Sequence, residues 1–450
     1  MDATARADAI VAERLRAAAA REPLPGPAEG RDATELAASL AAGSAHAERF
    51  TAEIAAAVRG TALALEAARP HPADLWTTAA AAHADPSVWF EQAVLLGHPT
   101  HPLARSRGTL TDAQIRAWAP EHRARLDLGR YPMPHLDATD SWTALAAGDL
   151  PVHPWQAARH GLTEPSATWT GVAPLMSLRT LSTGDLHVKT AVDLQLTSAV
   201  RHVSPAAVHN GPSIARRLKT PAAAAGITVL AEHAAISRTD SGEPRPHLAA
   251  ILRPAPHTAG HPRAVPLAAL AEPCPATGRP IAAALAGSDL DSWWAAFAPV
   301  ALAPLRLFAA TGVALEAHGQ NTLASFTGEV PTSLVYRDFG GVRVPPREWP
   351  GLIGDLPEPD PEARLRKLLA ALFPTTLTAL VEALATWTGT DPGAWWRTLA
   401  DAVRDLDLEP RVRRAVLREP WPVKATTAMR LADNPTDDLW ARLDNPLAGA

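Results

Sequence analysis

The feature that most constrains this chain is a pair of alternating segments around Thr183-Gly184-Asp185. On one side Met176 and Leu178 alternate with Ser177 and Arg179. On the other, Leu186, Val188, Val192, Leu194 and Leu196 alternate with His187, Lys189, Asp193, Gln195 and Thr197. Successive strand residues point to opposite faces, so period two marks strands with one buried face. A three-residue loop with Gly184 in the left-handed conformation closes them into a hairpin. The register that gathers the apolar residues sets Arg179 opposite Lys189 and Met176 opposite Val192; a slip of one residue turns Arg179 toward the core. The chain must therefore hold an antiparallel sheet with a cationic face. Lys189 and Thr197 share that face, yet eight residues of straight strand span about 26 Å. Both reach one site only if the strand bends, or if they hold opposite ends of a ligand array.

Around this hairpin the texture is mixed. Residues 2–84 read as helices: the first carries Ile10, Val11, Leu15 and Ala18 at helical spacing and ends before Pro23-Leu24-Pro25-Gly26-Pro27, and two more cover 32–42 and 45–68. Short segments broken by Pro, Gly and Asp follow to residue 203. Beyond residue 248, strands are predicted at 249–252, 265–270 and 334–339, a helix at 290–315, and mainly helices over 361–439. No internal repeat is visible. The reading is α+β, with a helical region at 1–85, a β-rich region at 86–247 and a mixed region with a helical C-terminal part at 248–450.

Charge and cysteine content narrow the function. Forty-two Lys and Arg against 47 Asp and Glu leave a net charge of −5, which argues against a broad nucleic-acid or anionic-membrane surface and permits a local cationic pocket. One cysteine, Cys274, excludes an internal disulfide or a multi-cysteine metal site. Asp2, Arg6, Asp8, Glu13, Arg14 and Arg16 interrupt the apolar positions of residues 2–22, unlike a signal peptide. The apolar stretch 293–315 contains Pro299, Pro304 and Arg306 and reads as a buried helix rather than a span. A cytoplasmic protein is expected, with neither nucleic acid nor membrane as a partner. Lysine occurs only at 189, 219, 367 and 424, a bias matching GC-rich codon usage, so a lysine's position is informative.

Four clusters carry potential chemistry. Gly97-His98-Pro99-Thr100-His101-Pro102 precedes Arg105 and Arg107. Its histidines could bind a metal, but the proline disfavours a helix and no third ligand has a diagnostic spacing; a turn presenting a histidine and two arginines to an anion is the better reading. His153-Pro154-Trp155-Gln156 reads as a buried turn. Ser177, Arg179, Thr180 and Lys189, extended to Arg201 and Asn210-Gly211-Pro212, offer hydroxyls and cations suited to phosphate oxygens, and equally suit a solvated charged face. Lastly, Glu316-Ala317-His318-Gly319-Gln320-Asn321 and Arg337-Asp338-Phe339-Gly340-Gly341 supply Glu316 and Asp338, hard oxygen ligands of the kind Mg²⁺ prefers when it bridges phosphates. Asp-Phe-Gly alone, without a Gly-rich loop or His-Arg-Asp, does not make a protein kinase.

In this order and spacing the clusters resemble the IucA/IucC family of siderophore synthetases, which work independently of non-ribosomal peptide synthetases. The resemblance covers roughly residues 94–341. It implies a hand-like adenylating enzyme, with a thumb at 1–85, fingers at 86–247 and a palm at 248–450, and it suggests a homodimer. It implies ATP and Mg²⁺ as cofactors, a carboxylic acid such as citrate or a relative, and an amine or hydroxyl that captures the acyl-adenylate as an amide or ester. By resemblance, His101, Ser177, Arg179, Thr180, Lys189, Arg253, Gln320 and Asn321 are nucleotide contacts, Glu316 and Asp338 face the metal, and Thr197, Arg201 and His318 hold the acid. Arg105 stands where the family commonly has lysine, and the chain is shorter than typical members. The alternative is a non-catalytic small-molecule or nucleotide-binding scaffold that keeps the fold.

Elementary chemistry agrees with these roles. Attack of a carboxylate on the α-phosphorus joins two anions, so cations such as Lys189 and Arg179 must offset repulsion and developing charge. Arg201 can hold a carboxylate through two parallel hydrogen bonds. No nucleophilic serine or cysteine is needed, leaving Cys274 a packing role. His318 is a general-base candidate because imidazole titrates near neutrality.

Overall fold

The computed structural model describes residues 2–139, 141–142, 148–197, 199–232, 234–434 and 437–450. Three N-terminal helices, Ala3–Ala19, Ala33–Leu40 and Ala47–Glu66, pack together. Asp2 and Asp32 cap the first two by accepting the amides of Ala5 and Glu35, which satisfies donors that a helix start leaves free. Val11, Leu15, Leu36, Leu40, Phe50 and Ile54 form the core of this unit, and Leu103 from the 97–107 turn inserts into it. The helical unit thus grips a segment that carries His101.

The dominant sheet is antiparallel and eight-stranded. Its members are β1 (Leu126–Tyr131), β2 (Leu136–Ala138), β3 (Leu150–Val152), β4 (Ala167–Pro174), β5 (Thr180–Ser182), β6 (Leu186–Thr190), β10 (Ala234–Asp240) and β11 (Glu243–Pro254), in the order β2-β10-β11-β6-β5-β4-β1-β3. Leu181, Val188, Ala234, Ile236, Ala250 and Leu252 fill one face. Thr180, Lys189 and Arg253 lie on the other, since Leu181 pairs with Val188 and Thr180 with Lys189. The cationic face is present, but one residue out of the expected register. The reason is local: residues 175–179 form a turn rather than a strand, Leu178 adopts φ +65°, and the Ser177 hydroxyl accepts the Thr180 amide at 3.2 Å. Pairing therefore begins at Thr180, and Arg179 lies outside the strand.

The long second segment also breaks. After β6 the chain leaves the large sheet at Ala191, and β7 (Val192–Leu196) pairs with β8 (Ala199–Arg201) as a separate ribbon. The strand bends, as one of the two expected solutions required. A second sheet, β12-β13-β14-β9, joins β12 (Ala264–Pro266), β13 (Thr322–Thr327) and β14 (Val330–Tyr336) to β9 (Ile227–Val229), the last in parallel. The largest core lies against it and includes Trp89, Phe90, Trp294, Phe297, Tyr336, Phe373 and Trp396. Leu290–Thr311 is long and apolar enough to cross a membrane, with Trp294 and Phe297 buried in this core.

Three expectations need correction. Residues 267–270 are helical, because Pro266 ends β12. The 361–439 region contains a strand, β15 (Trp421–Lys424), paired with β16 (Trp440–Leu443). The division at 247–248 falls inside β11, whose pairing with β6 continues to Pro254.

Candidate active site

The two sheets, the N-terminal helices and the C-terminal helices enclose a cleft of about 1080 Å³. His101, Ser177, Arg179, Thr180, Thr197 and Arg201 line it, as do Arg253, Glu316, His318, Gln320, Asn321 and Asp338. Lys189 stands just behind the lining, with Nζ 2.7 Å from Asp338 Oδ1. All thirteen residues singled out from the sequence therefore converge.

Each wall has a local cause. His101 is buried, and its Nδ1 accepts the Leu103 amide at 3.0 Å; the ring proton then sits on Nε2, which has no protein partner. Burial pushes its pKa well below the ordinary value, so it is a neutral donor. Arg105 and Arg107, expected to face an anion, do border the cleft, but their guanidiniums are also engaged by the protein. Arg107 grips Glu121 through Nη2 at 2.5 and 2.6 Å, and Arg105 donates to the carbonyls of Leu95 and Val94. Arg179 donates to the carbonyls of Thr190 and His202 at 3.3 and 3.1 Å. Burial lowers its pKa to about 10, which leaves it charged at neutral pH.

The ribbon is held from outside. Gln156, in the helix Pro154–Arg159 that His153 caps, accepts the Asp193 amide at 2.8 Å, and Asp193 Oδ1 meets His202 Nε2 at 2.5 Å. Thr197 stands at its tip, while Arg201 pairs with Val192 at the other end and donates from Nε to the Leu196 carbonyl at 3.1 Å. Thr197 takes φ +62°.

Charge is densest around Asp338. This residue holds φ +72°, a conformation that costs a non-glycine residue about 1–3 kcal/mol and clusters at functional sites. Burial would raise its pKa, but Lys189, Arg253 and Arg179 outweigh that and hold it far below the carboxylate range. Glu232, 1% exposed, stands 3.8 Å from both Lys189 Nζ and Arg253 Nη1. Among the described residues, Nε and Nη1 of Arg253 have no hydrogen-bond partner, and burial raises the pKa of Glu232. A cluster this incompletely satisfied is suited to receive further polar groups. Glu316 borders it: a β-carbon on Gly341 would lie 2.0 Å from Glu316 Oε2.

His318 Nδ1 accepts the Gln320 amide at 3.3 Å and Nε2 lies 4.0 Å from Glu316 Oε2; burial lowers its pKa. Lys424 and Lys367 also line the cleft and share Asp438 at 3.0 and 2.6 Å. These two were foreshadowed only by the scarcity of lysine, and Glu232 by nothing in the sequence. Cys274 is buried and its Sγ accepts the His71 amide at 3.3 Å, a packing role. Among the described residues, no three His, Cys, Asp or Glu side chains are arranged to hold a metal unaided. Glu316 and Asp338 suit a magnesium ion that takes its remaining oxygens from water and phosphate.

Comparison with known proteins places this geometry. The IucA/IucC family profile matches residues 87–134 and 146–272. Staphyloferrin A synthase of Staphylococcus aureus is 26% identical over 317 residues, 58% of this chain and 53% of that one. The ATP-bound aerobactin synthetase IucA of Klebsiella pneumoniae superposes with a TM-score of 0.73 at 19% identity, covering 93% of this chain and 87% of that one. The chain is similar to the IucA/IucC family over the residues of the profile match. The hand-like α+β architecture is shared with the IucA structure; the petrobactin biosynthesis protein AsbB of Bacillus anthracis has it too, at TM-score 0.71 and 18% identity over 89% of this chain and 79% of that one. A further profile, described as ferric iron reductase FhuF-like transporter, matches residues 291–439. The chain spans about half the length of staphyloferrin A synthase.

Proposed function

We propose that this protein is an AMP-forming ligase that joins a citrate-like carboxylic acid to an amine or hydroxyl in siderophore or related biosynthesis, working in the cytoplasm. The observation that carries this reading is the convergence of Arg179, Thr180, Lys189, Arg253, Thr197, Arg201 and His318 on one cleft. Ser177, Thr180 and the neutral His101 donate to phosphate oxygens, and Gln320 and Asn321 contact the nucleoside. Arg179, Arg253 and Lys189 offset the charge of the triphosphate. Glu316 and Asp338 would hold magnesium, which would supply further charge neutralisation.

Thr197 and Arg201 orient the acid so that a carboxylate oxygen bonds to the α-phosphorus while the bond to pyrophosphate breaks. Arg179 and Lys189 stabilise the charge gathering on the phosphoryl oxygens, where fixed cations contribute most. In the tautomer set by Gln320, His318 presents an Nε2–H, so it serves as a donor to the acid rather than as the base for the acceptor. The acceptor's amine or hydroxyl then displaces AMP.

The test is ATP-dependent pyrophosphate release with citrate, succinate and 2-oxoglutarate, followed by mass spectrometry of products with polyamines and hydroxylamines. Release should require an acid and fall at least about a hundredfold in Arg179→Ala and Lys189→Ala, since a charged hydrogen bond lost with a buried partner is worth on the order of 3 kcal/mol. Full activity in both variants removes these roles. Nucleotide binding without pyrophosphate release across the panel makes the protein a scaffold. Light scattering tests the homodimer.

A further inference from the structure

Part of the cleft wall is apolar. Leu175 and Met176, which directly precede the phosphate-facing turn, line it together with Leu267, Ala268 and Ala271. The helix Leu267–Leu270 and the loop 318–321 form one surface: the Ala268 amide donates to the Gly319 carbonyl at 3.0 Å, and a β-carbon on Gly319 would stand 2.6 Å from the Ala268 nitrogen. Gln320 follows on the same wall. Within this setting stands the carboxyl of Glu272, 7% exposed and lining the cleft. Its Oε1 accepts the Leu95 amide at 3.0 Å. Among the described residues its Oε2 has no hydrogen-bond partner, and the residue borders the cleft. Arg14 and Arg105 act on it only through space, and burial raises its pKa to about 7. Removing a carboxyl from water without an ion pair is costly, and such groups in clefts mark ligand sites.

We propose that Glu272 reads the nucleobase, with Oε2 accepting the exocyclic amino group of adenine while the surrounding apolar side chains enclose the ring. The inference rests on the nucleotide reading above and adds the group that selects the base. Adenine presents an amino donor at the position where guanine presents a carbonyl acceptor. A carboxylate oxygen attracts the first and repels the second. The faces of the ring need only apolar contact, which this wall supplies.

The amide at Leu95 makes the test signed. In Glu272→Gln the side-chain carbonyl must serve the Leu95 N–H, so the NH₂ turns to the cleft and an acceptor becomes a donor. Calorimetric titration of the full chain with ATP and with GTP, each with magnesium at about pH 8, keeps the wild-type carboxyl ionised. The wild type should prefer ATP by at least about tenfold, and Glu272→Gln should lower that preference by roughly tenfold to a hundredfold, the range of one hydrogen bond in a desolvated site. A purely structural glutamate would weaken both nucleotides alike. Should the variant not fold, the wild type is titrated with the triphosphate of purine riboside, which lacks the amino group; about tenfold weaker binding than ATP supports the inference, and equal binding overturns it. ATP binding with an unchanged ATP-to-GTP ratio in a folded Glu272→Gln overturns this inference alone. Failure of the wild type to bind either nucleotide overturns the nucleotide reading and this inference with it.

Discussion

Replacing Glu121 by glutamine removes a negative charge from beneath two buried guanidiniums while keeping the side chain's shape. Glu121 is fully buried, bonded to Arg107 at 2.5 and 2.6 Å and 3.6 Å from Arg105. Burial alone would raise its pKa, yet Arg105 and Arg107 outweigh it and hold the carboxyl at about 2, against an ordinary 4.5. At ~1.4 kcal/mol per pH unit this difference corresponds to ~3 kcal/mol of folding stability. Breaking a buried pair by removing one partner costs about 3–5 kcal/mol by mutational experience, and the two routes agree. Because the folded-state pKa is depressed, the contribution is complete above about pH 4.5 and drains away as the pH falls through about 2. Urea unfolding of wild type and Glu121→Gln, followed by fluorescence of the 14 tryptophans, should show a gap of about 3 kcal/mol at pH 7. Roughly half of that gap should be gone at pH 3. A gap below about 1 kcal/mol at neutral pH, or one that does not narrow on acidification, refutes the electrostatic account of this turn.

Two further outcomes follow from close approach and burial. Gly341→Ala places a methyl where Glu316 Oε2 now lies 2.0 Å away, so Glu316 must move; the magnesium concentration for half-maximal pyrophosphate release should rise about tenfold or more, and an unchanged magnesium dependence rules out Glu316 as a metal-side ligand. Asp85→Asn weakens the buried contact to His187 at 2.7 Å, beneath the strand that carries Lys189; a stability loss of about 1–3 kcal/mol is expected in urea unfolding, and no loss means that the pair contributes nothing net.

The sequence pattern disclosed the cationic face because alternation survives any error in where a strand begins. Lys189 was legible for that reason, and Thr180 came to the same face only because the register is shifted by one residue from the one that Met176 and Leu178 suggest. Those two apolar residues continue the period into a turn whose geometry is decided by the Ser177 hydroxyl, a contact that periodicity does not encode. Arg105 and Arg107 looked available because their partner, Glu121, sits in a short 3₁₀ turn with no patterning of its own. Glu232 and Glu272 were silent for a related reason: a buried carboxyl has meaning only beside neighbours from distant segments. Trp421–Lys424 was hidden by brevity, four residues between helices.

The departure of the chain from the large sheet at Ala191 has a mechanical meaning. A single stretch of backbone from Leu186 to Thr197 delivers Lys189 to one layer and Thr197 to another, with only Ala191 between the two strands. On the proposed reading, the nucleotide and the acid that these two residues meet are therefore mounted on one lever. A tilt that improved the grip on one ligand would be felt at once by the other, and the proposed approach of oxygen to phosphorus would take its angle from that elbow.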